Sequence, residues 1–385
     1  MRTTRATGRL TLALAGGMSF AVLVACSGAG SAGDPSDGAD PAPRSDAARS
    51  TPSTSAPATP AESPDAPEPA GPVTLTVVGD IMLGRRVAAA HADPTVTLRA
   101  LRPLLRRADL TVGNLENTLS TAGPPTQGGD SFSAPPRVIR GLADAGFDAL
   151  SLANNHAGDH GSRALVETVD AFRGSGVVAF GAGRDLARAT RPAVLESGGT
   201  TIGLLGFNAI GETPEAAPRA PGALSVSMPP RTGPLDRTEL RRVLAAVRRL
   251  ARRVDAVVVL PHWGTQYTHV AEPVQSLVGR RLIDAGAALV VGGHPHWVQG
   301  YERHGDGLLV HSLGNFVFDM DFMAETMEGV VLTATFEEGR VVDAVLTPYR
   351  MDAGFTPRPL RGAEAEEVLD DVRRHSRGRL PSAGR

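Results

Sequence analysis

The chain has 385 residues, a formal net charge of −2, and 42% hydrophobic and 21% charged residues. That is room for one large globular domain or two small ones, of ordinary composition. The near-neutral charge argues against nucleic acid as the main partner, and a single cysteine excludes a disulfide framework.

In chain order, Arg2, Arg5 and Arg9 form a positive start, followed by an apolar stretch over 10–25 that is too short and glycine-broken for a membrane span. It ends in Leu23-Val24-Ala25-Cys26, which resembles a bacterial lipobox. This predicts a lipoprotein signal peptide over 1–26, lipidation at Cys26, and a domain anchored at the outer face of the cytoplasmic membrane. Residues 27–71 are Ser, Ala, Pro, Gly, Thr and Asp with almost no large apolar side chain. They cannot bury enough surface to offset ordering entropy, so they are expected to be a tether.

A folded domain is expected over 72–360. Residues 74–78 read as a buried strand, 98–107 as a helix, and 110–112 as a strand running into Asn114-Leu115-Glu116. A helix over 137–145 precedes a strand over 149–152, then an amphipathic helix over 163–173 and a strand over 177–180. Residues 193–196 and 201–207, joined at Gly198-Gly199, read as a hairpin. The Pro- and Gly-rich stretch 209–234 is expected to be a long surface loop. A helix over 235–253 has Asp236 near its start and arginines toward its end, as the helix dipole favours. The pairs Arg241-Arg242 and Arg252-Arg253 read as solvated faces. A strand over 257–260, a helix over 272–285 and a strand over 288–291 follow. After His296 come strands over 298–302, 308–312, 330–336 and 341–349 with no helix between them. An α/β half followed by an antiparallel half suggests two packed sheets with helices outside. Residues 361–385 are expected to be a charged helix with a frayed tail.

Five polar signatures each follow an apolar run: Gly79-Asp80, Asn114-Leu115-Glu116, Asn154-Asn155-His156 with Asp159, His262-Trp263-Gly264, and Gly292-Gly293-His294-Pro295-His296. An α/β enzyme collects metal ligands at one sheet edge in this way. Taken singly, Asp80, Glu116 and Asn154 also suit turns or helix caps. Asp159 could hold one ring nitrogen of His156 and so fix its tautomer. Two glycines let the backbone turn before His294 and His296, whose spacing brings both imidazoles to one site, one ring per metal. Asn315, after the next strand, could orient a metal ligand or contact substrate oxygens, with Asp319 and Asp321 in support. Tyr267 and His269 lie near enough to touch a substrate, and Phe316, Phe318 and Phe322 read as core or pocket wall.

Together with Ser312-Leu313-Gly314-Asn315-Phe316, these signatures resemble the CapA family of bacterial capsule or poly-γ-glutamate synthesis proteins, over nearly all of the folded part. That family is similar to the calcineurin-like metallophosphoesterases. The resemblance implies an α/β, metallophosphatase-like four-layer αββα sandwich of two facing mixed sheets flanked by helices. It implies two divalent cations (Mn, Mg, Zn or Fe). Asp80 and His296 would hold one of them. Asn155, His262 and His294 would hold the other, with Glu116 bridging. His156 would be the catalytic acid or a phosphate-stabilising group, supported by Asp159 and Asn315. The sequence departs from the pattern at Met82, where the wider superfamily has histidine, and at Gln266, near which the family has glutamate.

The implied function is metal-dependent hydrolysis of a phosphoester or related bond in a cell-envelope substrate, with the cleft beside Trp263, Tyr267, Trp297 and Phe316. An alternative is amide chemistry on poly-γ-glutamate, or binding of an anionic envelope polymer in support of export proteins. No P-loop and no Gly-x-Ser-x-Gly elbow is present, which argues against ATP-driven ligation and a serine hydrolase.

Overall fold

A computed structural model describes residues 71–382. The predicted signal peptide, Cys26 and nearly all of the predicted tether lie outside the described residues. The strands of the first half are β1 (Val73–Ile81), β2 (Leu110–Leu115), β3 (Ala149–Ser151), β4 (Val178–Phe180), β5 (Ala182–Gly183), β6 (Ala193–Ser197), β7 (Thr200–Asn208) and β8 (Gly222–Ala223). Those of the second half are β9 (Ala256–His262), β10 (Leu289–Val291), β11 (Tyr301–His304), β12 (Gly307–Val310), β13 (Asn315–Val317), β14 (Glu328–Glu337), β15 (Arg340–Met351) and β16 (Pro357–Pro359). The helices are α1 (Arg85–Ala90), α2 (Arg102–Leu105), α3 (Val138–Ala145), α4 (Gly161–Ala171), α5 (Leu186–Ala189), α6 (Arg237–Leu250), α7 (Pro273–Asp284) and α8 (Gly362–Arg374).

Two mixed sheets carry the fold. The first runs β16-β15-β14-β1-β2-β3-β4, with β13 also paired to β1, and the second runs β11-β12-β10-β9-β7-β6. Strand β9 shows why they stack. Ala256, Val258 and Leu260 join the layer between the sheets, while Val257 and Val259 pack toward α6 and α7. A strand covered on both faces needs apolar residues at every position, which is why its sequence is a continuous apolar run. Leu75, Val77 and Val112 face Ile202 and Leu204 across the middle layer. Leu142 of α3 and Leu165 of α4 cover the outer face of the first sheet. Helix, sheet, sheet, helix is the predicted αββα sandwich. Helix α6 begins as its sequence suggests: Asp236 Oδ1 accepts from the backbone N–H groups of Thr238 and Glu239 at 2.7 and 2.9 Å.

The predicted helix over 98–107 is instead a 3-10 turn (Pro94–Ala100) followed by the short α2. Pro103 cannot donate a helical hydrogen bond, so the helix restarts there. The strands after His296 do not make a sheet of their own. β11 and β12 extend the second sheet beside β10, and β13 to β16 cross to the first sheet, where β1 offers an open edge to β14. The stretch 209–234 is not a surface loop, because Ala209, Leu224, Val226 and Met228 are buried under α6. The tail is not frayed where it is described: Arg377 N donates to Tyr301 O at 2.7 Å, and Ala344 N donates to Pro381 O at 3.1 Å.

One irregularity in β1 sets up the site. Val77 pairs with Val112 but Asp80 pairs with Asn114, so Val78 and Gly79 oppose the single residue Gly113. This bulge reverses the side-chain alternation and re-aims Asp80. Gly79 has no room for a side chain, since an added Cβ would lie 1.9 Å from Gly314 O. Gly79→Ala is therefore expected to destabilise the protein by about 3 kcal/mol or more, read from urea denaturation.

Candidate metal centre

The parallel strands of both sheets end at one edge of the sandwich, and the polar signatures lie there. Asp80 is near the end of β1, Glu116 follows β2, Asn154-Asn155-His156 follows β3, His262 ends β9 and His294 and His296 follow β10. All six predicted metal ligands are brought together and are buried. The two glycines before His294 do not supply a left-handed turn. Gly293 instead allows close approach, since a Cβ there would lie 2.6 Å from Asp80 Oδ1. The left-handed backbone falls on the histidines themselves, with φ of +93° at His294 and +60° at His296.

Two three-residue groups each place one donor atom per residue within 4.8 Å of the others: Glu116, His262 and His294, and Asp80, Glu116 and His296. Glu116 belongs to both. Asn114 ties the groups together. Its Nδ2 lies 2.8 Å from Asp80 Oδ1, 3.3 Å from Glu116 Oε2 and 3.3 Å from His262 Nδ1. Its Oδ1 accepts from Asn154 Nδ2 at 2.9 Å. Asp80 Oδ2 accepts from the His294 backbone N–H at 3.0 Å. Asn155 Oδ1 lies 2.8 Å from His262 Nε2.

Burial, with Glu116 beside it, pushes the Asp80 carboxyl up to about 7, and burial pushes Glu116 up to about 7. Burial also drives His262 down to about 4, His296 down to about 3, and His294 well below the usual imidazole range. Uncharged imidazoles keep a lone pair for a ligand bond, and crowded carboxylates call for positive charge. Glu116 Oε1 and both ring nitrogens of His294 are buried without a hydrogen-bond partner among the described residues. Such atoms are costly to leave unmatched, and the residues fit divalent cations. Metal–ligand bonds of about 2.1 Å put adjacent ligands roughly 3 Å apart, close to the Asn155–His262 separation.

His156 lies beside this cluster. Its Nδ1 is 2.7 Å from Asp159 Oδ2, as anticipated, and its ring stacks on Phe132 with centroids 3.8 Å apart. Asp159 also accepts from Phe132 N and Gln127 Nε2, both at 2.6 Å. Arg85 lies 4.3 Å from the Phe132 centroid. With His156 so close on one face, the guanidinium caps the other.

Asn315 is fully buried, with its Oδ1 2.8 Å from His296 Nδ1. It can orient that ring but has no open route to substrate. Asp319 and Asp321 pair with Arg85 and Arg86. Trp263 and Phe316 are fully buried in the cores and wall no cleft. Tyr267 stacks on His296 at 6.0 Å, and Phe322, 59% exposed, meets Tyr267 edge-on at 5.6 Å. His269 instead binds Val298 O through Nδ1 at 2.7 Å. Met82 is core, its sulfur accepting from Gly84 N at 3.1 Å. Sequence reasoning missed the linking role of Asn114 and missed Glu212, whose Oε2 accepts from Asn155 Nδ2 at 2.9 Å. A signal was present, because Glu212 follows the apolar run of β7 just as the recognised ligands follow theirs.

Fold and site together define an α/β sandwich of two mixed sheets with a buried carboxylate–histidine centre able to hold metal ions. The family described as bacterial capsule synthesis protein PGA_cap matches residues 74–320, and the chain belongs to it. It is 29% identical over 298 residues to the capsule biosynthesis protein CapA of Bacillus anthracis, covering 76% of this chain and 70% of that one. It is 30% identical over 295 residues to the PGA biosynthesis protein CapA of Bacillus subtilis strain 168, covering 75% and 74%. A probable polyglutamine synthesis accessory protein of Mycobacterium tuberculosis is 28% identical over 219 residues, covering 55% and 56%.

Proposed function

We propose that this protein is a metal-dependent hydrolase that cleaves a phosphoester or related bond in an anionic cell-envelope substrate, in the service of capsule or poly-γ-glutamate synthesis. Lipidated Cys26 would hold it at the outer face of the cytoplasmic membrane, beside capsule synthesis or export proteins. The observation that carries this reading is the sharing of Glu116 between two buried donor groups. Asp80, Glu116 and His296 would hold one cation, and Glu116, Asn155, His262 and His294 the other. Two such cations would supply Lewis acidity and a water of lowered pKa. N and O donors of this kind suit Mn²⁺, Mg²⁺, Zn²⁺ or Fe.

The chain's own groups do the rest. Asp159 fixes the His156 ring through Nδ1, which leaves Nε2 to carry a proton to the leaving oxygen. Phe132 and Arg85 hold the imidazole from one face, so it needs no reorganisation as charge develops. Asn114 keeps the two acids in register, and Asn315 holds His296.

The relatives' names favour a second reading, in which the same groups act on the amide-linked polymer poly-γ-glutamate. One experiment separates the two. Full-length protein is assayed for bound metal by mass spectrometry, for turnover of bis-p-nitrophenyl phosphate with Mn²⁺, and for release of glutamate oligomers from poly-γ-glutamate. The phosphoester reading expects bound metal and chelator-sensitive phosphodiester turnover. Oligomer release without phosphodiester turnover would establish the amide reading. Polymer binding that persists in chelator, with no metal bound, would defeat both.

A further inference from the structure

Asn155 has two ends of similar size, and only its hydrogen bonds decide which way the amide oxygen points. Glu212 decides it here. An ionised carboxylate can only accept, so the amide NH₂ must face Glu212 Oε2, at 2.9 Å, and Oδ1 must face His262 Nε2, at 2.8 Å. Arg231 holds the other Glu212 oxygen.

The backbone around Glu212 is built for this task. Asn208 Nδ2 donates to Gly211 O at 2.8 Å, and Asn208 Oδ1 accepts from Ile210 N at 3.0 Å, so the end of β7 shapes the turn. Thr213 Oγ1 accepts from Gly158 N at 3.0 Å and ties the turn to the segment that carries Asn155. Glu212 itself has φ of +62°. Left-handed backbone at a non-glycine residue is unfavourable and persists where the surroundings over-determine it, often at functional sites. Seven non-glycine residues have positive φ among the described residues, and five of them bear on this centre: Arg85, Glu212, Tyr267, His294 and His296. Glu212 thus shares its conformation with two candidate ligands and two residues packed against the site.

We infer that Glu212 is a positioning residue for the cation shared by His262 and His294, acting through Asn155 and not as a ligand itself. This rests on the metal-centre reading above. Full-length protein is titrated with Mn²⁺ by calorimetry, after confirming that the metal-free variants melt with wild type. Wild type is expected to show two sites. Glu212→Ala is expected to leave one unchanged and weaken the other roughly 10- to 100-fold. Glu212→Gln keeps an acceptor oxygen for the Asn155 NH₂ and is expected to bind within a few-fold of wild type. Adding Glu212→Ala to Asn155→Ala is expected to cost nothing further, because the two act as one unit.

Two unaltered sites in Glu212→Ala would overturn the inference alone. So would a Gln variant as weak as the Ala variant, since the charge itself would then be required. Absence of Mn²⁺ binding by wild type would overturn the metal-centre reading, and this inference with it.

Discussion

Glu116→Gln is expected to strip the protein of both cations and to lower turnover by on the order of 10³-fold or more. His296→Ala, by contrast, should remove one cation and leave the other. The asymmetry follows from geometry, because Glu116 is the one residue common to both donor groups. The amide variant keeps the shape of the side chain, so the loss should not come from misfolding. Burial holds the Glu116 carboxyl up near 7, above its ordinary value of 4.5. Between those two pH values the metal-free folded chain retains a proton that the unfolded chain has released. Metal-free wild type therefore loses stability as pH rises from about 4.5 to about 7, while the Glu116→Gln variant would lack the Glu116 share of that loss and keep only the share from buried Asp80. The metal-free variant is expected to melt no lower than wild type at pH 5 and higher at pH 8. Metal content, turnover and paired melting curves check all three statements. A variant that retained two cations would defeat the bridging assignment.

His156→Asn is expected to leave metal content intact and to slow turnover about 10²- to 10⁴-fold. The effect should depend on the leaving group. A nitrophenolate needs little protonation, so its ester should suffer least, and an alkyl ester should suffer most. Equal losses on both substrates would assign His156 to charge stabilisation and not to proton delivery. Asp159→Asn adds a second signature. Asp159 accepts hydrogen bonds from Phe132 N and Gln127 Nε2 and partners His156 Nδ1, and it is fully buried. Its loss is expected to lower stability by about 1.5–3 kcal/mol as well as activity, whereas His156→Asn should spare stability more.

Much of this site was legible because each ligand ends or follows an apolar strand. The runs before Asp80, Glu116, Asn155, His262 and His294 announce buried strands, and a polar residue after each can only emerge at the sheet edge. The pairing of His156 with Asp159 was legible from their spacing. What escaped depends on partners far away in sequence. The bulge at Gly79 exists only in relation to β2 and to Gly314. The division of the later strands between two sheets depends on which edges earlier strands leave open. Residues 209–234 were misread from their Pro and Gly content, although Leu224, Val226 and Met228 alternate as a half-buried extended segment should. Glu212 went unnoticed within that stretch.

The placement of ligands on two sheets has a mechanical consequence. Asp80 lies in a strand of the first sheet and Glu116 just after another, while His262 ends a strand of the second sheet and His294 and His296 follow its neighbour. A shared ion would rivet one sheet to the other and close loops of about two hundred residues, such as the 214-residue separation already bridged between Asp80 and His294. Cross-links between distant points restrict the unfolded chain more as the enclosed loop lengthens. In a protein whose lone cysteine cannot form an internal disulfide, such ions would double as its staple.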